Sequence, residues 1–113
     1  MKIVRQSEAQ THKNSDRCTA IEYPIGDQDI NGAVIELNGR YPDAGRVVNL
    51  ECKELVYVIK GSGKLVVEGN AIELNEGDMV VIEPKEKYFF DGQMTFLAPC
   101  APAWHPEQHI EVE

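Results

Sequence analysis

Histidine, cysteine, basic charge and long apolar stretches are all scarce in this chain, and each scarcity removes a class of function. Of 113 residues, 3 are His and 3 are Cys. Cys18, Cys52 and Cys100 are odd in number, far apart and without a Cys-x-x-Cys pair. That spacing excludes a disulfide framework and a structural zinc knuckle, and leaves reduced, buried thiols as the expectation. With 11 Lys and Arg against 19 Asp and Glu, the net charge is -8. A field of that sign repels phosphate backbones and anionic lipid, so neither nucleic acid nor a membrane is an expected partner. No apolar run approaches the roughly 20 residues that span a bilayer, and Met1-Lys2-Ile3-Val4-Arg5 meets charge too early for a secretory signal. The expected location is cytoplasmic.

Helical periodicity is missing as well. No window sustains an apolar repeat of 3.6 residues, and the polar stretch 7–16 reads as a loop or a single helical turn. What the chain does contain is short runs rich in Val, Ile, Tyr and Phe. They are punctuated by Gly26-Asp27, Asn31-Gly32, Asn38-Gly39, Gly69-Asn70 and Asp91-Gly92, the pattern of an all-β sandwich or barrel. Strands are expected at 2–5, 18–23, 33–37, 46–50, 55–60, 64–68, 71–74, 79–83, 88–90, 95–98 and 110–113. Lys64 to Leu74, two strand-like runs around Gly69-Asn70, reads as a hairpin. At this length one domain with one core is expected. The proline-rich run from Ala98 to Pro106 reads as an irregular strap over its wall.

Two segments carry a resemblance. Glu54, six further residues and Gly61 form the first; Gly77-Asp78, the run Met79-Val80-Val81-Ile82 and Glu83-Pro84-Lys85 form the second. Together with the hairpin between them, and with Gly45 as a candidate opening glycine, the stretch from Leu37 to Pro106 resembles a small single-domain member of the cupin superfamily. The resemblance implies a double-stranded β-helix, or jelly-roll, barrel with little helix. Its core would cover about 33–98, with N-terminal strands in 1–32 and the strap at 99–113, and small cupins commonly pair as homodimers. It also implies a metal held by two histidines, a glutamate and a third histidine. Of these positions only Glu54 keeps a ligand: the paired histidines fall on Val48 and Leu50, or on Val47 and Asn49, and Tyr88 stands in place of the last. No metal or other cofactor is therefore expected. Val48 and Leu50 would coat the hollow with hydrocarbon and favour direct binding of an organic molecule.

The remaining candidates follow from side-chain chemistry. Glu54, turned inward by strand alternation, would have its proton affinity raised by burial and could act as a general acid or base, with Tyr88 offering a hydroxyl beside it. Arg40 and Arg46 flank the turn-prone Tyr41-Pro42-Asp43-Ala44-Gly45 and could grip a carboxylate or phosphate, or stand as solvated charges. Trp104 could stack on a ring, or pin the strap to the wall. Tyr57 faces away from Glu54 and suits a subunit contact. His105 and His109 are four apart, but Pro102 and Pro106 oppose a helix that would pair them, and exposed histidines are expected. Gly61-Ser62-Gly63 reads as a tight turn. The function expected is metal-independent binding of a small organic molecule, a sugar or a carboxylated metabolite. One alternative is a sugar isomerase or epimerase using Glu54 and Tyr88 as an acid/base pair. The other is a metal enzyme with ligands from Glu54, Glu51 and a histidine of the tail.

Overall fold

A computed structural model describes every residue from Met1 to Glu113. Nine strands form: β1 Gln10–Ser15, β2 Cys18–Tyr23, β3 Asn31–Tyr41, β4 Arg46–Asn49, β5 Lys53–Val67, β6 Asn70–Leu74, β7 Met79–Ile82, β8 Lys87–Ala101 and β9 His109–Val112. Single helical turns sit at Gln6–Glu8 and Pro106–Gln108. No helix is long and apolar enough to cross a membrane.

Strand β8 organises the barrel. Along one edge it pairs with β3, from Asn31 against Cys100 to Tyr41 against Phe90, and then with β4 at Val47 against Tyr88. Its other edge carries β5, which also pairs with β7 and β6. On the β3 side the sheet continues through β2 to β1, while β9 closes on β4. Every second residue of β8 points inward: Tyr88, Phe90, Met94, Phe96, Ala98 and Cys100 are all buried. This period of two is what a strand with one face on a core requires.

The curl of the sheet comes from glycines in the middle of strands. Gly39, Gly92 and Gly63 lie side by side across β3, β8 and β5. Gly39 and Gly92 have φ of 130° and 148°, and a Cβ at Gly92 would collide with the Gly63 backbone. Only glycine allows the three backbones to approach and bend together there. A register shift in β5 between Val58 and Lys60 adds a bulge in the same region. The dipeptides Asn38-Gly39 and Asp91-Gly92, and the Gly61-Ser62-Gly63 element, are therefore bends within strands and not turns. As a result, the expected pairs of strands 55–60 with 64–68, and 88–90 with 95–98, are each one continuous strand. The β5–β6 hairpin forms as expected, one residue earlier than Gly69-Asn70: Glu68 and Gly69 take φ of 48° and 80°, the two positive values of a type I′ turn, and Val67 pairs with Asn70.

Two further expectations are corrected. Residues 2–5 form no strand, and 7–16 is no plain loop, since it holds the end of the first helical turn and all of β1. β1 stays polar because it is an edge strand paired only with β2. Its apolar content gave no periodicity to read. The three cysteines are free and buried.

The interior has two halves. Where β5, β6 and β7 face β8, branched and aromatic side chains fill it: Val56, Val58, Leu65, Leu74, Ile82 and Phe96 are at most 3% exposed. Between β1, β2, β3 and β8, inward positions carry small side chains, Cys18, Ala20, Ala33 and Ala98, and space is left over.

Candidate functional site

That space is a cavity of about 460 Å³, open at one side. Phe90, Phe96, Ile35 and Leu37 line its waist, while Gln10, His12 and Asn14, alternate residues of β1, form one lip with Glu22. No Lys or Arg lines it.

At one end lies a polar cluster. Glu54, near the start of β5, is 8% exposed and faces Asn49 and Tyr88. The Asn49 amide nitrogen donates to Glu54 Oε1 at 3.2 Å and to the Tyr88 hydroxyl oxygen at 3.4 Å. Burial pushes the Glu54 carboxyl up to about 7; the Asn49 amide and the Tyr88 hydroxyl pull in the opposite direction and offset only part of the desolvation. Burial also drives the Tyr88 hydroxyl well above the usual tyrosine range, so it stays protonated. Having accepted from Asn49, it keeps its own proton free to donate.

The C-terminal segment completes the cluster from behind. Three donors converge on Asn49 Oδ1: His109 Nδ1 at 2.7 Å, Trp104 Nε1 at 3.2 Å and Gln108 Nε2 at 3.3 Å. Trp104 is itself anchored by Asn31, which receives its backbone N–H and donates to its carbonyl, both at 2.8 Å. Gln108 accepts from the backbone of Glu51 and Cys52. The Tyr41 hydroxyl donates to His109 Nε2 at 2.9 Å, with the two rings stacked. Burial lowers the proton affinity of His109, which fits a neutral ring holding its proton on Nδ1. No buried side-chain nitrogen or oxygen in the molecule lacks a partner.

The structure thus brings Glu54, Tyr88 and Trp104 to one cavity, whose lining also includes His105 and His109, and places Val48, Leu50, Arg40 and Arg46 elsewhere. Val48 is buried against the wall and Leu50 is 44% exposed. The fold takes the other register, with Val47 and Asn49 turned inward, so hydrocarbon from Val48 and Leu50 does not coat the hollow. Arg40 bonds the carbonyls of Pro42 and Gly45 and lies over the Phe89 ring, while Arg46 holds the carbonyl of Glu113. His105 is exposed between Glu51 and Glu107, whose carboxylates raise its proton affinity. His109 is not exposed: it is a half-buried member of the cluster. Asn49, Gln108 and His109 were not legible as site residues, because their contacts span 59 and 60 positions and only the β4–β9 pairing creates them.

Residues 49–97 match the family model described as Cupin domain. The molecule is a small cupin-type barrel. Its fold is also that of Streptomyces PAC13, solved as a variant with uridine, at 16% identity and a TM-score of 0.88 over 98% of this chain and 90% of that one. Pac13 is described as a unique nucleoside dehydratase. The polyketide cyclase RemF from Streptomyces resistomycificus aligns at 18% identity and TM-score 0.75, over 100% of this chain and 86% of its own. Ectoine synthase from P. lautus aligns at 16% and 0.72, over 100% and 91%. At such identities the likeness carries the fold. No curated protein matches the chain in sequence.

Three positions at which the cupin resemblance places metal ligands, Asn49, Glu54 and Tyr88, do converge in this barrel. The fourth is Val47, fully buried. A carboxamide whose nitrogen faces the carboxyl, a protonated phenol and one carboxyl do not fit a mononuclear ion, and no three His, Cys, Asp or Glu side chains gather in a way that could hold one. Glu51 reaches toward His105 instead of joining Glu54, so the non-standard trio of Glu54, Glu51 and a tail histidine does not assemble.

Proposed function

We propose that this cupin barrel binds a small, uncharged organic molecule in its cavity and moves a proton on it, with Glu54 as the acid/base group and Tyr88 as a hydrogen-bond donor. The observation that carries this reading is a buried carboxyl poised at about 7 that opens onto a cavity of about 460 Å³. A general acid or base works best when its proton affinity matches the operating pH. The volume lies in the range of small-molecule sites. Proton transfer of this kind serves a lyase, an isomerase or an epimerase. The names of the structural neighbours, a nucleoside dehydratase, a cyclase and a synthase, are consistent with such chemistry in this fold.

The lining selects between the ligand classes expected from the sequence. A carboxylated or phosphorylated metabolite needs a cation to offset its charge, and no Lys or Arg lines the cavity; His105 is already held between Glu51 and Glu107, and Arg40 and Arg46 are engaged elsewhere. Neutral, ring-bearing compounds such as sugars and nucleosides suit an aromatic waist with a polar lip. The test is calorimetry with matched neutral and anionic compounds, for example uridine against its 5′-phosphate and a neutral sugar against its acid. Neutral members should bind in the micromolar to millimolar range and their anionic partners at least tenfold more weakly. Preference for the anionic members would overturn the reading.

The same reading includes a homodimer in the cytoplasm. Val34, Leu97, Tyr57 and Met79 form one row across the outer face of β3, β8, β5 and β7, with Leu55 and Val81 beside it. Tyr57, Leu97, Val81 and Met79 are 38% to 60% exposed, an apolar area of the kind that marks an interaction surface. Sedimentation of the wild type should give a dimer, and a strictly monomeric species would remove this part of the reading.

A further inference from the structure

The side chain with the most hydrogen bonds in the cluster is not the acid/base group but Asn49. It is 1% exposed, and its carboxamide is satisfied on both sides. On the oxygen side one of its three partners, the Trp104 indole N–H, can only donate, so the oxygen must face the C-terminal segment. The nitrogen is thereby forced toward Glu54 and Tyr88. His109 is compatible with that orientation: with the Asn49 oxygen facing it, Nδ1 carries the donated proton and Nε2 accepts from the Tyr41 hydroxyl.

The surroundings of Glu54 give this amide its weight. The other titratable groups that sense the Glu54 charge are Cys18 from β2, Tyr41 from β3, Tyr88 and Cys100 from β8, and Cys52 from the loop before β5. They are hydroxyls and thiols, so none supplies a positive charge. Glu22, His12 and His105 line the cavity that Glu54 faces. No Lys or Arg is among the lining residues. Asn49 donates to the carboxyl at 3.2 Å, and the Tyr88 hydroxyl pulls in the same direction.

We infer that Asn49 is the positioning residue of the site: Trp104, Gln108 and His109 lock its oxygen, and that lock aims its amide at Glu54 so that the carboxyl can ionise inside the barrel. The C-terminal segment is then a working part of the site as well as a cover, although of these residues only Trp104 and His109 line the cavity. The inference rests on the reading of Glu54 as the acid/base group. It adds a residue that opposes the effect of burial on Glu54 and the segment that holds that residue in place.

The experiment uses the full chain without ligand. Carbon-13 NMR of glutamate labelled at its side-chain carboxyl follows the Glu54 titration, assigned by Glu54→Gln, and nitrogen-15 spectra follow the Asn49 side-chain amide over the same pH range. In the wild type the Asn49 amide protons should move with the same midpoint as the Glu54 carboxyl. In Asn49→Leu, which keeps a similar volume, adds no charge and loses the amide, the Glu54 midpoint should rise by about one pH unit, a tenfold change in proton affinity. A merely structural Asn49 would leave that midpoint in place. An Asn49 amide that ignores the Glu54 titration in the wild type, or an unchanged midpoint in a folded Asn49→Leu, overturns the inference; if Asn49→Leu does not fold, the wild-type measurement decides alone. Failure of every ligand to bind would overturn the proposed function and leave the coupling of Asn49 to Glu54 untouched.

Discussion

The two halves of this barrel are built on the same alternation and reach opposite ends. Inward positions of β5, β6 and β7 carry Val56, Val58, Leu65, Leu74 and Ile82, which interdigitate until almost nothing is exposed. Inward positions of β2, β3 and β8 include Cys18, Ala20 and Ala98 at comparable depth, with Ala33 half-buried beside them, and leave a cavity. Side-chain volume, not topology, decides which half holds the core and which holds the site. The polar cluster lies at the border, where Glu54 begins the strand that serves the filled half while its carboxyl faces the open one.

The largest effect should come from damaging the filled half. Leu65→Ala removes a side chain with no exposure and should cost roughly 2–5 kcal/mol of stability in urea unfolding, because a close-packed region cannot collapse onto the gap. A loss under about 1 kcal/mol would mean that this half is not the structural core.

Next in size is the border. The Glu54 carboxyl sits at about 7 in the folded chain against an ordinary value of 4.5. A raised carboxyl means that the folded state holds its proton more tightly than the unfolded state does. This contribution to stability is therefore present in full below the unfolded value and is lost as pH rises through about 7. The loss should be roughly 3 kcal/mol. Glu54→Gln should flatten that slope, and it should also reduce turnover of any neutral substrate at least about 100-fold. Parallel unfolding curves for the two proteins from pH 5 to pH 8 would show that the carboxyl is not buried as described.

A smaller effect on the fold should follow from filling the open half. Ala98→Leu places extra methyl groups where space already exists, so stability should change by less than about 1.5 kcal/mol while ligand affinity falls tenfold or more. If affinity survives, the cavity is not the binding site. The smallest effect on stability should come from outside the barrel. Tyr57→Glu on the exposed outer row should shift unfolding by about 0.5 kcal/mol or less, yet convert the proposed dimer to monomer in sedimentation.

The same contrast separates what could be read in the sequence from what could not. The filled half is legible because its strands alternate cleanly: the β5–β6 hairpin reads directly from the sequence, and the inward Glu54 and outward Tyr57 follow from alternation alone, while Tyr88 follows from the cupin resemblance and β2, in the open half, from its own apolar run. The open half was harder. β1 faces a polar lip on one side and solvent on the other, so it has no apolar period, and Val48 and Leu50 were taken as inward because their spacing from Glu54 left two registers open. Asn49, Gln108 and His109 meet only through β9, and nothing local in Pro106-Glu107-Gln108-His109 announces that a short terminal strand will carry them to β4. Glycines misled for a different reason: Gly39, Gly63 and Gly92 resemble turn residues in sequence, whereas in the barrel they let three neighbouring strands bend without ending.

The unbroken alternation of β8 has a consequence for how such a barrel can diverge. Five of the cavity-lining side chains, Tyr88, Phe90, Phe96, Ala98 and Cys100, share its inward parity. Gain of a single codon between Met94 and Thr95 would evert Phe96, Ala98 and Cys100 to solvent and drive Thr95, Leu97 and Pro99 into the interior. The lineage can therefore retune this pocket by point substitution, or by paired indels that preserve parity, but not by single-residue steps in length. Length variation among relatives should accumulate at the β5–β6 hairpin tip and spare this strand.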